Sequence, residues 1–342
     1  MKNLLRGILF ASILFLSLPS HGQQADDKSA TKKATPVKNF TPGELWYDNT
    51  GELINAHGGG LLYINKKYYW FGEKRGQRGS KGVNVYSSTD LYNWKFEGLA
   101  LSPDYTDTTH DIAKGCVIER PKVIYNASTG KYVMWFHLEL RGKGYSAARA
   151  AVAISDKVTG PYTYVHSFRP NGNMSRDMTL FKDGKDSAYI IYSSRENYDL
   201  RIAKLSDDYL TATESDKLLF SKHREAPAIF KYKEQYYLIT SGCTGWQPNK
   251  ATVHRSASVW GPWEELAVNP MSGPKSETTF DGQSTYILPV TGKKDYFIFL
   301  ADKWNPRDLK DSRYLWLPVQ FRNDAPVVEW INEWEIKQFA PK

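Results

Sequence analysis

One phrase recurs five times along this chain: a polar or acidic residue, an apolar strand, a turn, and an aromatic strand. The copies are GGGLLYINKKYYWFGE (58–73), ERPKVIYNASTGKYVMWFHLE (119–139), RDMTLFKDGKDSAYIIYSSRE (176–196), EAPAIFKYKEQYYLITSG (225–242) and GQSTYILPVTGKKDYFIFLADKW (282–304). Each pairs alternating apolar residues with turn residues such as Asn65-Lys66-Lys67 or Asp183-Gly184-Lys185, the pattern of a β-hairpin. A second phrase, strand–turn–strand, follows the first four copies, as in NVYSSTDLYNWKFEG (84–98) and AVAISDKVTGPYTYV (151–165). Each unit therefore holds about four strands, and units repeat every roughly 50–60 residues. Four-stranded units repeated radially make a β-propeller. The sequence predicts an all-β fold, a five-bladed β-propeller over residues 44–342, closed by strands in 314–321 and 327–336. No long amphipathic helical pattern competes.

The chain ends and the composition narrow the function classes. Residues 1–22 have the form of a secretory signal: Lys2 and Arg6, an apolar run Gly7–Leu18, then Ser20-His21-Gly22. That run is short for a membrane span, no second one follows, and no cysteine stands near the cleavage region to carry a lipid. Export to the periplasm or beyond is expected, with no membrane span. Residues 23–43 are polar and aperiodic, and read as a flexible lead-in. The formal charge is +8, and loss of the signal leaves +6. The basic residues are dispersed, so no nucleic-acid partner is expected. Aromatics are 14% of the residues, which suits strands and also flat sugar ligands. Cys116 and Cys243 are far apart and read as two separate thiols.

Residues 57–60 read HGGG, the wording of a lipase oxyanion loop. That reading needs a G-x-S-x-G elbow, and the nearest fragment, Gly282-Gln283-Ser284-Thr285-Tyr286, lacks the closing glycine. The propeller supplies another explanation. First strands of blades line a central channel, so residues at their starts converge although far apart in sequence. Those places hold His57-Gly58, Glu119, Asp177, Glu225 and Gln283. Gathering carboxylates spreads their pKa values, and glycoside hydrolysis uses such a spread. Each carboxylate also has a bland alternative beside it: Arg120 for Glu119, Arg176 for Asp177 and Arg224 for Glu225.

Taken in order, AHGGG, ERPKVIYN, SRDMTLF, REAPAIF and DGQSTYI resemble glycoside hydrolase family 43, and within it the exo-β-1,3-galactanase branch. The resemblance runs from about residue 44 to the end. It implies an inverting enzyme that releases galactose from the β-1,3-galactan backbone of type II arabinogalactan. It also implies roles. Glu225 is the general acid, Asp177 orients it and tunes its pKa, and Glu119 binds the terminal sugar. Where most of the family has a blade-1 aspartate as base, this chain has Ala56-His57-Gly58, and Gln283 is implied to hold the attacking water, through its imidic acid tautomer. The glycines would admit a sugar close to the backbone, with His57, Tyr145, Asn197, Thr244 and Trp246 as substrate contacts. Inversion calls for about 6.5–9.5 Å between the acid and the group opposite. No cofactor or metal is expected, and the protein is expected to act as a monomer on its polysaccharide. The alternatives are an α-L-arabinofuranosidase acting on arabinogalactan side chains, or a glycan-binding propeller without catalysis.

Overall fold

The computed structural model describes residues 35–76, 80–185 and 187–339. Residues 1–22, expected to be a signal, and most of the lead-in lie outside these. The described residues form five antiparallel sheets, the five blades of a β-propeller, with almost no helix. The innermost strands are His57–Ile64, Val117–Asn126, Met178–Asp183, Arg224–Tyr232 and Gln283–Pro289. Each blade then runs outward as a meander, so strands adjacent in sequence pair with one another. The first hairpin turns at Asn65-Lys66, both with positive φ (52° and 62°), the twist a two-residue turn needs to match its strands. Blade 5 gains a fifth strand, Met271–Ser272, which pairs parallel to Ala325–Glu329.

The apolar faces of neighbouring blades make the cores. Val133, Trp135, Ile190 and Tyr192, for example, fill the space between blades 2 and 3. Closure between blades 5 and 1 is aromatic: Phe40, Trp70, Trp94, Trp316 and Trp334 pack as one cluster. Phe40 corrects the expected start of the domain. The lead-in was read as flexible to residue 43, yet Phe40 is buried and bridges Trp334 on both sides of its peptide unit. One large ring in a polar run carries no periodicity, so only the closed propeller shows where it goes. The Tyr314 hydroxyl completes the seam, accepting from the Ala56 N–H (2.9 Å) and donating to the Ile54 carbonyl (3.0 Å).

Four inner strands share a β-bulge near their start, after His57, Glu119, Glu225 and Ser284. In three of them the next residue is left-handed: Gly58 (φ 58°), Arg120 (55°) and Ala226 (53°). A bulge turns a strand locally and re-aims its side chains. Here it falls within the first three residues of each of these strands. The triple glycine follows from the same crowding. A Cβ on Gly58 would meet the Glu73 carboxylate, one on Gly59 the Phe71 carbonyl, and one on Gly60 the Lys122 side chain. The glycines therefore make room for protein atoms, not for a sugar as the sequence suggested. Gly59→Ala is expected to lower stability by about 1–3 kcal/mol or more, since the atom it meets is backbone. A denaturant midpoint equal to that of the wild type would refute this packing account.

Candidate active site

The bulged strand starts open onto a cleft of about 260 Å³ at one end of the channel. Glu119, Asp177, Glu225, Gln283, Tyr145, Asn197 and Trp246 all line it, as the sequence predicts. Two expected contacts do not. His57 is fully buried, pairs with Asp302 (Nδ1–Oδ1 3.1 Å) and stacks on Tyr314. The bulge aims its side chain under the blade-5 seam. Thr244 is spent on its own loop, donating to the Gln247 carbonyl (2.6 Å) and accepting from Asn249 (2.7 Å). That loop instead presents Trp246 at the rim, edge-on to Trp304 with ring centres 5.8 Å apart.

The bland pairings also fail. Glu119 does not pair with Arg120. It accepts from Arg75 (2.9 Å) and the Tyr145 hydroxyl (2.9 Å), and its other oxygen lies 3.1 Å from His137 Nδ1. Arg176 turns to Glu196, and Arg224 to Thr240. Asp177 is instead gripped by Arg120 through two bonds, at 3.0 and 2.8 Å. The same guanidinium donates to Gln283 Oε1 and to the Ser284 carbonyl (3.2 Å), and the Arg120 N–H reaches Glu73 (2.8 Å). Arg120 thus ties blade 2 to blades 1, 3 and 5.

Four carboxyls line the cleft, Glu73, Glu119, Asp177 and Glu225, and two of them are driven apart by their neighbours. Burial works against ionisation of Glu119, but the His137 imidazole and the Arg75 guanidinium outweigh it and hold the carboxyl far below the usual carboxylate range. His137, between Glu119 and Glu139, is pushed up to about 9 despite its burial, so it serves as a cation at neutral pH. Glu225 has no such partner. Burial, then the charge of Asp177, push it up to about 7. Its oxygens accept from Asn197 Nδ2 (2.9 Å) and Gln283 Nε2 (2.9 Å), and the Cys243 thiol also bonds it. Near neutral pH Glu225 is therefore able to give a proton while Glu119 stays an anion.

Gln283 departs from expectation. Its amide nitrogen touches Glu225, so the two are not spaced by the width of a sugar and a water. Below, Lys122 is buried and donates to the carbonyls of Gly58 (2.9 Å) and Arg120 (3.3 Å). Burial and the nearby Arg120 charge push its ammonium down to about 7. Glu119, His137 and Asp177 lie within 4.8 Å of one another, close enough to surround a metal ion. Arg75 pairs with Glu119 and Arg120 with Asp177 beside them.

Several functional residues escaped the sequence reading: Glu73, Arg75, His137 and Trp304, with Arg120 seen only as a spoiler. A signal for some was available. Hairpin register sets His57 opposite Glu73, Glu119 opposite His137, Glu225 opposite Ser241 and Gln283 opposite Asp302. Counting back across each turn from the first residue of a blade finds a second ring of polar residues.

Comparison with known proteins matches this geometry. A family 43 β-1,3-galactosidase solved with galactodeoxynojirimycin is 48% identical, covering 86% of this chain and 100% of that one, with a TM-score of 0.84. An exo-β-1,3-galactanase from Phanerochaete chrysosporium, solved with β-1,3-galactotriose, is 34% identical over 87% of this chain and 68% of its own, with a TM-score of 0.81. One from Clostridium thermocellum is 38% identical over 86% and 66%, with a TM-score of 0.79. A curated xylan 1,3-β-xylosidase from a Vibrio species is 27% identical over 206 residues, and the match spans only 37% of that longer protein. Residues 59–325 match the family described as Glycosyl hydrolases family 43. The chain belongs to that family.

Proposed function

We propose that this protein is an exported exo-β-1,3-galactanase, an inverting glycoside hydrolase that removes galactose from β-1,3-galactan such as the backbone of type II arabinogalactan. The observation that carries the reading is the pair of opposed carboxyl environments, Glu225 raised and Glu119 held ionised, in one cleft lined by aromatic rings. The galactanases at 34–48% identity support the substrate class, and the terminal sequence Met1–Gly22 supports export.

In this mechanism Glu225, protonated near neutral pH, gives its proton to the departing glycosidic oxygen. Asp177 keeps that proton in place by its charge, while Arg120 holds Asp177 still. Glu119, pinned by Arg75, His137 and Tyr145, accepts hydrogen bonds from hydroxyls of the terminal sugar, and Trp246 offers a face for it to stack on. The sugar parts Gln283 from Glu225, which leaves the Gln283 amide free to hold a water beside the reacting carbon. Attack by that water on the face away from Glu225 inverts the anomeric centre, and the water's proton passes to the nitrogen of Gln283 in its imidic acid tautomer, which returns to the amide by giving up its oxygen-bound proton.

Digestion of β-1,3-galactobiose followed early by proton NMR is expected to show galactose first as the α-anomer. The β-anomer first would rule out inversion, and arabinose from arabinogalactan without galactose would point to an arabinofuranosidase. Glu225→Gln is expected to cost at least about a hundredfold in kcat, the general acid's contribution, while leaving galactan binding largely intact. Activity should fall as pH rises through about 7, where Glu225 loses its proton. Asp177→Asn removes a negative charge that favours the protonated acid, so it should move this alkaline limb to lower pH; a limb that stays put would mean another group controls it. The same linkage acts on stability. A carboxyl whose folded pKa is raised stabilises the fold below its unfolded pKa, and that contribution is lost as pH climbs through the folded value. Glu225→Gln should therefore unfold at higher denaturant than wild type at pH 8, and show no such gain at pH 4.

A further inference from the structure

The mechanism leaves one buried carboxyl beside the cleft unused. Glu139 is the last residue of the strand Lys131–Glu139 and is fully shielded from water. Two residues apart on one strand, His137 and Glu139 share a face of blade 2. Across the hairpin, His137 stands opposite Glu119. The three side chains therefore form a line: Glu119 Oε2 lies 3.1 Å from His137 Nδ1, and His137 Nε2 lies 2.9 Å from Glu139 Oε1. The charged imidazole has an N–H on each side and nothing to accept with, so each nitrogen needs an oxygen.

The second oxygen of Glu139 reaches further. Oε2 accepts from the Ala148 N–H at 3.0 Å. Ala148 closes the loop 140–148 that carries Tyr145, and it is buried with φ at 44°, a left-handed value for a residue with a side chain. Such a conformation persists only where its surroundings hold it. Its carbonyl is held as well, by the Ser175 N–H (2.8 Å), and Arg176 donates to the Tyr145 carbonyl (2.9 Å). Those two bonds tie the loop to the approach of blade 3, next to Asp177. Glu139 ties it back to blade 2. At the far end of the circuit the Tyr145 hydroxyl donates to Glu119 Oε1 (2.9 Å). It does so although Tyr145 is 48% exposed and a side chain added to Gly142 or Gly144 would meet no neighbour.

We propose that Glu139 is a positioning residue for the reaction: one oxygen steadies His137 against Glu119, the other fixes the end of the loop 140–148, and together they set the Tyr145 hydroxyl and the Glu119 carboxylate as one rigid pair for the terminal sugar. Glu139 does not line the cleft and acts through that pair. The inference rests on the hydrolase reading of the cleft and leaves the acid Glu225 untouched.

Glu139→Gln tests it. An amide offers one oxygen where the carboxylate offers two. The bond to the charged ring is the stronger, so the oxygen stays on His137 and the NH2 is set against the Ala148 N–H. The loop end is released while Glu119 keeps its partner. On β-1,3-galactobiose, KM is expected to rise about tenfold, the value of one buried hydrogen bond, with a smaller fall in kcat. Tyr145→Phe should do the same. In the Tyr145→Phe background Glu139→Gln should add little, because both act on one pair; combined with Trp246→Ala, on a different loop, it should add in full. A Glu139 that only props the fold would lower the denaturant midpoint and leave KM where it is, or would add to Tyr145→Phe; either result overturns the proposal. Hydrogen exchange reads the contact without turnover. The Ala148 amide should exchange slowly in the wild type and at least about tenfold faster in Glu139→Gln; equal rates would deny the tie. Should that variant not fold, the wild type still decides. Galactose bound against Glu119 and Tyr145 should slow the Ala148 amide further, by linkage, and an unchanged rate with the sugar bound overturns the coupling. Failure of the wild type to release galactose would refute the galactanase reading, while the exchange rates would still decide whether Glu139 holds the loop.

Discussion

Arg120 is the contact on which this site depends. A guanidinium nearly cut off from water is costly to bury, and it is tolerated only where every donor meets an acceptor and opposite charge lies close. Here the acceptors come from three directions: Asp177 of blade 3, and Gln283 and the Ser284 carbonyl of blade 5. The residue's own left-handed backbone adds a fourth tie, through its N–H to Glu73 of blade 1. Blades in a propeller contact mainly their neighbours. One planar group with several fixed donors on the axis sets the angular position of non-neighbouring strand ends, as a flexible ammonium would not.

Around that hub, the same side-chain type does opposite things. Glu119 and Glu225 stand at equivalent places in their blades, both before a left-handed residue and a bulge. What separates them is the partner across the hairpin and the neighbour beside it. Glu119 faces His137 and Arg75, and is kept an anion. Glu225 faces Ser241, is bonded by two neutral amides and the Cys243 thiol, feels the charge of Asp177 more than that of Arg120, and is kept protonated to about pH 7. Division of labour between acid and sugar-binding carboxylate is thus written in the cross-strand residues and not in the glutamates themselves.

The repeat made the fold legible early, because hairpin turns and period-two alternation are local and each copy reinforces the others. The convergence of Glu119, Asp177, Glu225 and Gln283 was legible for the same reason: radial symmetry turns equal places in a repeat into equal places in space. Arg75, His137 and Trp304 were not seen, since they sit at the ends of second strands, where the phrase looks like the tail of an aromatic strand. His57 misled in the other direction. The resemblance made it a substrate contact, while the bulge and Asp302 draw it under the seam.

By itself the sequence determined the all-β architecture, the number of blades, and which polar residues gather at the mouth of the channel. These follow from backbone periodicity and from counting. Tertiary structure alone decided the chemistry each of them can perform. Charge state depends on burial and on partners from other blades, and no local pattern records that Arg120 would pair with Asp177 and not Glu119. It also decided what the three glycines are for. Their missing side chains leave room for Glu73, the Phe71 carbonyl and Lys122, contacts that exist only once the ring has closed.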